Sequence, residues 1–228
     1  MQELLSVTIT LATPLALGRT HFTLDGIAFG ILQDFDAARG IDRDQTQMIP
    51  IYRTDEGLFF ATAAEFERPV QSSETKIGGV RPVKDLADAT RALSTTRKRH
   101  SKVVTTSGDT KAHLSRYRII ATPTIRWECV GDRAKLEALL SNASNIGALR
   151  KDGHGQIDSV SVQPLDHDDM KAILVNENGV RRPIPMELAH SLGMPSNAPT
   201  TIDSWRPAYW DQKNLAECLI PNPQEGAS

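Results

Sequence analysis

Twice in this chain a period-two apolar pattern gives way, after a short break, to a helical one. Residues 4–12 (LLSVTITLA) alternate apolar and polar side chains, which predicts a half-buried strand ended by Thr13-Pro14. Leu24, Ile27, Ala28, Ile31, Leu32 and Phe35 then recur at helical spacing, with Thr23 placed to cap the start and Gly40 to stop the end. The second passage repeats the first. In residues 121–130 (ATPTIRWECV), Ile125, Trp127 and Cys129 share one strand face. Asp132 follows as a helix N-cap, and Leu136, Leu139 and Leu140 mark a buried stripe to about Ser141. Residues 157–162 (IDSVSV) alternate again as a strand. Residues 49–52 and 58–63 predict a hairpin across T-D-E-G. This order predicts an α+β protein with ferredoxin-like (RRM-like) packing, helices on one face of an antiparallel sheet.

Residues 66–83 are rich in Pro, Gly, Ser and Thr and predict a long irregular excursion, followed by a short helix from Lys84 to Leu93 and a mobile stretch over 94–115. From Asp166 onward prolines are frequent and periodic runs few. The expected organisation is a core over 1–165, with a basic insertion at about 66–118, and an extension over 166–228 packed on that core.

Charge is unevenly spread. Between Lys76 and Arg118 lie eleven Lys/Arg and three acids, a local +8 inside a chain whose formal charge is -2, so the remainder carries -10. The run T-R-K-R-H-S-K does not interleave signs as an ordinary helix surface does, and segregation of this kind points to a polyanion partner. Two cysteines are too few for a disulfide framework, and the expected setting is a reducing cytoplasm. No stretch approaches the roughly 18 apolar residues of a membrane span, and the first residues lack the pattern of a secretory signal.

Residues 146–155 (IGALRKDGHG) place three glycines and several charges directly after the second helix. Gly147 fits a helix stop. Gly153 and Gly155, flanking His154, would let backbone N–H groups face an anion, with Arg150 and Lys151 adding charge. No Gly-Lys-Ser/Thr follows, so this is not a P-loop.

A first strand ending T-P-L, L-D-G-I on a helix, and G-A-L-R-K-D-G-H-G-Q-I after the second helix together resemble the RAMP superfamily of CRISPR effector proteins. C-V-G-D before that helix, R-R-P-I-P at 181–185 and R-P-A-Y-W near the C-terminus are similar to the Cas-five-type subunit of type IV CRISPR complexes, in the Csf set. The resemblance implies a RAMP fold with a glycine-rich loop, a long basic insertion and a C-terminal extension. It also implies a non-catalytic subunit that holds the 5′ handle of a CRISPR RNA and caps a filament of Cas-seven-type backbone subunits. The large subunit would be a further partner, and a contact to target DNA near the protospacer-adjacent motif is allowed.

The expected RNA-binding residues are Gly147, Arg150, Lys151, Gly153, His154 and Gly155 of the loop. With them stand Lys76, Arg81, Lys84, Arg97, Lys98, Arg99, Lys102, Lys111 and Arg116, which would neutralise phosphates without reading sequence. His100, Tyr117 and Phe66 are candidates to stack on bases. The competing reading is a metal-independent endoribonuclease cutting CRISPR repeat RNA, with His21 or His113 as acid or base. Asp166-His167-Asp168-Asp169 reads as the solvated start of a helical turn, and no metal or cofactor is expected. Trp205, Tyr209 and Trp210 read as anchors of the tail on the core.

Overall fold

The computed structural model describes residues 2–18, 20–78, 113–166, 169–194 and 198–222. The protein is mixed α/β with antiparallel sheets. It divides into two compact units, one made of residues 1–71 and 119–228, the other of residues 72–118.

In the first unit, β1 (Glu3–Leu11) leads through the short β2 (Leu15–Leu17) to α1 (Leu24–Arg39). β3 (Glu65–Phe66) follows, and β6 (Thr124–Gly131), α2 (Arg133–Leu140) and β7 (Ile157–Pro164) complete the layer. The sheet order is β3-β6-β1-β7, and each neighbouring pair is antiparallel. One face of this sheet is dry: Leu5, Val7, Ile9, Ile125, Trp127, Cys129 and Val162 pack in one cluster with Leu24, Ile27 and Ile31 of α1 and Leu136 and Leu140 of α2. That is the two-residue and 3.6-residue patterning made physical.

Gly40 and Asp132 bound the helices as the sequence predicts. Gly40 takes φ 65° and its N–H reaches the Ala37 carbonyl, while Asp132 accepts from the Lys135 N–H at 3.1 Å. Thr23 holds the N-cap position, yet its hydroxyl makes no capping bond and instead meets the Tyr209 hydroxyl at 2.7 Å. Phe35 lies at the rim of α1 under the Arg39 guanidinium rather than in the core. Near the end of α1, Asp36 is buried and receives two bonds from Arg43, at 2.8 and 2.7 Å, which hold its carboxyl below the ordinary carboxylate range.

Other expectations are corrected. The stretch expected as one strand over 121–130 is split by a turn: β5 (His113–Ala121) ends, Thr122-Pro123 reverses the chain, and β6 begins at Thr124. Residues 49–63 turn at Thr54–Gly57 but form isolated bridges, Arg53–Phe59 and Ala61–Cys129, not a continuous hairpin ladder. β4 (Val70–Gly78) is regular where irregular chain was expected, because β5 lies beside it and supplies backbone partners that composition does not reveal. The short helix expected at 84–93 lies outside the described residues, as does the stretch expected as mobile up to 112; residues 113–115 of that stretch open β5 instead.

The extension builds a second core. β8 (Val175–Asn176) and β9 (Gly179–Val180) pair, and β10 (Ile184–Pro185), β12 (Leu215–Leu219) and β11 (Thr200–Ser204) form a sheet in the order β10-β12-β11. With α3 (Met186–Ser191) they bury Ile173, Leu174, Val180, Ile184, Ala189, Trp205, Cys218 and Leu219 against Leu58, Phe60 and Val130. Burial also pushes the Cys218 thiol up to about 11.

One polar cluster fastens this extension to α1. Arg182 and Asp25 are both fully buried and paired, at 3.1 and 3.3 Å. Arg182 also donates to the carbonyls of Phe59 at 2.6 Å and Trp205 at 2.7 Å. The Tyr209 hydroxyl donates to Asp25 at 2.6 Å and so accepts from Thr23 and Arg182. Burial and the Asp25 carboxylate raise the phenol well above its ordinary pKa. Removing one partner of a buried pair costs about 3–5 kcal/mol, whereas replacing both by apolar groups is often near neutral. Arg182→Ala is therefore expected to lose about 3–5 kcal/mol in urea unfolding, and Arg182→Met with Asp25→Leu to recover part of it. Equal losses in the two chains would show that the carbonyl contacts, not the ion pair, carry the effect.

Candidate nucleic-acid interface

The glycine loop is seated on the chain that links β1 to β2. Ile146 N–H bonds the Gly155 carbonyl, Gly155 N–H the Pro14 carbonyl, and Ala148 N–H the Ala16 carbonyl, all within 2.7–2.9 Å. Thr13 Oγ1 donates to the Gly153 carbonyl at 2.8 Å and accepts from Gln156 N–H at 2.9 Å. Three glycines here have positive φ: Gly147 at 83°, Gly153 at 88° and Gly155 at 64°. A Cβ on Gly155 would run into the Ile146 carbonyl oxygen, and one on Gly147 would come within 2.6–2.7 Å of Leu15 and the Ala16 carbonyl. Both positions are glycine because the loop packs closely on itself and on Leu15. Gly153 is different: it is exposed, and nothing stands within 4 Å of the place a Cβ would take.

The backbone cradle expected at Gly153–Gly155 is thus closed. The N–H groups of Gly153, His154, Gly155 and Gln156 are all taken by the chain itself, through Arg150, Leu149, Pro14 and Thr13 respectively. The amides of Arg150 and Lys151 open the one-turn helix Arg150–Asp152, which starts at Leu149 with φ 54°. Among the described residues no partner is shown for those two amides. Lys151 is exposed, whereas Arg150 forms an ion pair with Asp34 of α1. His154 Nδ1 lies 3.3 Å from the Pro14 carbonyl. The sequence shows the glycines and basic side chains; Thr13, Pro14 and Asp34 are distant in the chain, and no local pattern announces them.

The sheet face away from the helices carries Ser6, Thr8 and Thr10 of β1, opposite Glu128, Arg126 and Thr124 of β6 and Gln163, Ser161 and Ser159 of β7. None of these is aromatic. Arg126 is held by Ser6 at 3.1 Å and Glu128 at 2.9 Å. Stacking of bases on aromatic side chains, the usual way single-stranded RNA is read, has no platform among these residues. Phe66 packs against the core rather than presenting its ring.

In the second unit, Lys76 stands 3.9 Å from Glu74, and Arg116 is exposed on β5. Arg81, Lys84, Arg97, Lys98, Arg99, Lys102 and Lys111, with His100, lie outside the described residues, as does the side chain of His113. Tyr117 is half-buried. The unit's residues, 72–118, include eleven Lys/Arg and four acids, and the basic run read over 76–118 falls within it.

His21, between β2 and α1, places Nε2 3.9 Å from Asp203 Oδ2. Among the described residues no group of three His, Cys, Asp or Glu is arranged to hold a metal ion, and no helix is long and apolar enough to cross a membrane. Asp169 accepts the Lys171 N–H at 2.9 Å as the cap of a helical turn.

Antiparallel sheets flanked by few helices, a glycine loop after the second helix and a compact unit rich in Lys and Arg define a mixed α/β protein. Residues 3–221 match the family described as CRISPR type IV associated protein Csf3, and the chain belongs to that family. A search of the curated proteins finds no match. Among solved structures, a similar chain occurs in the cryo-EM structure of the Type III-B Cmr-beta bound to cognate target RNA, at 12% identity and a TM-score of 0.35, covering 72% of this chain and 61% of that chain. This chain therefore spans less than two thirds of that relative's length.

The packing separates the roles of the loop glycines. Gly155→Asp is expected to misfold or to melt far below the parent. Gly153→Asp meets only the left-handed backbone penalty of about 1–2 kcal/mol and should remain folded. Thermal melts of both chains, measured together, check this; a stable Gly155→Asp protein would contradict it.

Proposed function

We propose that this chain is a non-catalytic, Cas-five-type subunit of a type IV CRISPR effector complex, which binds the 5′ handle of the CRISPR RNA and caps a filament of Cas-seven-type subunits. Membership of the type IV family supports the CRISPR setting. The passage strand–helix–strand–strand–helix–strand, with the order β3-β6-β1-β7, is the arrangement expected of a ferredoxin-like RAMP core. The observation that carries RNA binding is the collection of eleven of the chain's 26 Lys/Arg in one compact unit.

In this reading the phosphates of the handle are neutralised by Lys76, Arg81, Lys84, Arg97, Lys98, Arg99, Lys102, Lys111 and Arg116. The loop contributes differently from a backbone cradle. Lys151 and the amides at 150–151 offer donors, Gly153 permits close approach, and Arg150 contributes once it leaves Asp34. His154 lines the same turn. Gly147 and Gly155 shape the loop without touching RNA. The complex's large subunit and target DNA near the protospacer-adjacent motif are further contacts, and the working compartment is the cytoplasm.

Replacing Arg97, Lys98, Arg99 and Lys102 by Ala is expected to weaken RNA binding. The log–log salt slope should fall by roughly 0.7 for each single-strand phosphate that the chain no longer neutralises. An unchanged slope would reduce the basic run to a solubilising surface.

The endoribonuclease reading draws on one observation, the approach of His21 to Asp203, since a carboxylate beside an imidazole can orient it as a base. The proposed function predicts that the purified chain leaves a CRISPR repeat RNA intact without metal. A site-specific cut that disappears in His21→Ala would replace the structural role with a catalytic one.

A further inference from the structure

The sheet β10-β12-β11 ends on β11, whose sequence is T-T-I-D-S. The bonds flanking this ladder set its phase. Ile220 N–H reaches the Pro199 carbonyl at 2.9 Å, and Trp205 N–H faces the Asn214 carbonyl at 3.4 Å. Antiparallel pairs alternate between bonded and non-bonded. Thr201–Cys218 and Asp203–Ala216 are therefore the bonded pairs, and the N–H and C=O groups of Thr200, Ile202 and Ser204 point away from β12. Ser204 N–H is taken by the Asp203 carboxylate at 2.7 Å. For Thr200 and Ile202, no strand lies on the outer side among the described residues, and both are exposed.

Proteins usually blunt such an edge with Lys, Pro, a bulge or a covering loop. β11 has no Lys and no Pro, and its pairing with β12 runs without a register shift. In place of a protecting charge stands Ile202, the most exposed large apolar side chain of the described residues at 75%. Ile202 does not stand alone. Cross-strand partners share a sheet face, so Ile202, Glu217, Ser204 and Leu215 lie on one side. Leu215 is 47% exposed, and the Ser204 hydroxyl donates to the Tyr209 carbonyl at 2.8 Å, which brings the backbone leading into the 66% exposed Trp210 to the same face. Trp210 is in turn braced against Phe29 of α1, with ring centroids 5.5 Å apart. Exposed aromatic and aliphatic side chains on a rigid frame are the composition of a protein interface, and the neighbouring charges, Glu217 and Asp211 against Lys213, do not make a site for a polyanion.

We propose that the outer edge of β11, with Ile202, Leu215 and Trp210, docks an extended segment of a neighbouring protein subunit, which adds to this sheet as a further strand. Free backbone groups of Thr200 and Ile202 recognise another extended backbone, and side chains at alternate positions of the incoming strand set its specificity. Apolar side chains meet Ile202 and Leu215, and a Lys or Arg of the segment meets Glu217, the cross-strand partner of Ile202 on the same face. This rests on the reading of the chain as a subunit of an effector complex, but it uses residues other than those of the basic unit and the glycine loop.

The test is hydrogen exchange resolved to single amides in the full-length chain, alone and after mixing with the purified other protein subunits of the complex, without RNA. Exchange at Thr200 and Ile202 is expected to slow at least tenfold on mixing. Ile202→Lys, and independently Trp210→Ala, should weaken assembly at least tenfold while melting as the parent does and keeping its RNA affinity. Assembly that leaves both amides exchanging at the free rate overturns the proposal, as does a failure to associate. Protection produced by RNA alone also overturns it. So does protection that grows with the concentration of the isolated chain and vanishes in Ile202→Lys, which would make a second copy the occupant. Loss of the RNA-binding reading would appear separately, as absent RNA affinity in a chain whose edge is still protected on assembly.

Discussion

The Arg182–Asp25 pair holds together parts of the chain that are far apart in sequence. Two full charges in a dry interior are unfavourable, and the geometry offsets that penalty: the guanidinium faces the carboxylate, backbone carbonyls at Phe59 and Trp205, and the Tyr209 hydroxyl. Asp25 lies in the first turn of α1, Phe59 in the bridge region before β3, and Arg182 and Trp205 in the extension. A single side chain thereby fixes where α1 starts, where the 58–61 segment lies and how the second core meets the first. It also explains why Thr23 fails to cap α1: its hydroxyl is used by Tyr209, which belongs to the same cluster.

The extension, anchored to α1 by this cluster, leaves apolar side chains exposed at Ile202 of β11 and at Trp210 in the turn between β11 and β12. The glycine loop of the first unit shows the reverse arrangement. Gly147 and Gly155 serve close packing against Leu15 and the β1–β2 link, which leaves Gly153 and the turn at 150–151 as the accessible part.

Much of the first unit was legible because its signals are local. Alternation in 4–12, helical spacing in 24–35 and the Asp132 cap each depend on neighbours a few residues away. The elements that escaped depend on distant partners. β4 has a composition suited to a loop and becomes a strand beside β5, and the extension's sheet is assembled from strands of two to five residues. The loop was recognisable by its glycines and basic residues, but the use of its amides was not, since Pro14, Thr13 and Asp34 approach it only in the fold. Nothing in the local pattern of α1 marks Asp25 and Asp36 as buried, since the partners that make burial tolerable, Arg182 and Arg43, lie outside the helix.

The proposed function joins a folded scaffold to a basic unit that supplies phosphate contacts, with the sheet face left polar and free of aromatic platforms. Phosphate contacts position RNA, and a chain of this kind would grip a handle largely by its backbone. The most direct measurement is photo-crosslinking of CRISPR RNA to the assembled complex, with crosslinked residues of this chain located by mass spectrometry. The account predicts crosslinks within 76–118 and at 150–154, and none at Thr8, Ser161 or Gln163 on the open sheet face. Crosslinks confined to that face, with 76–118 unmarked, would contradict it.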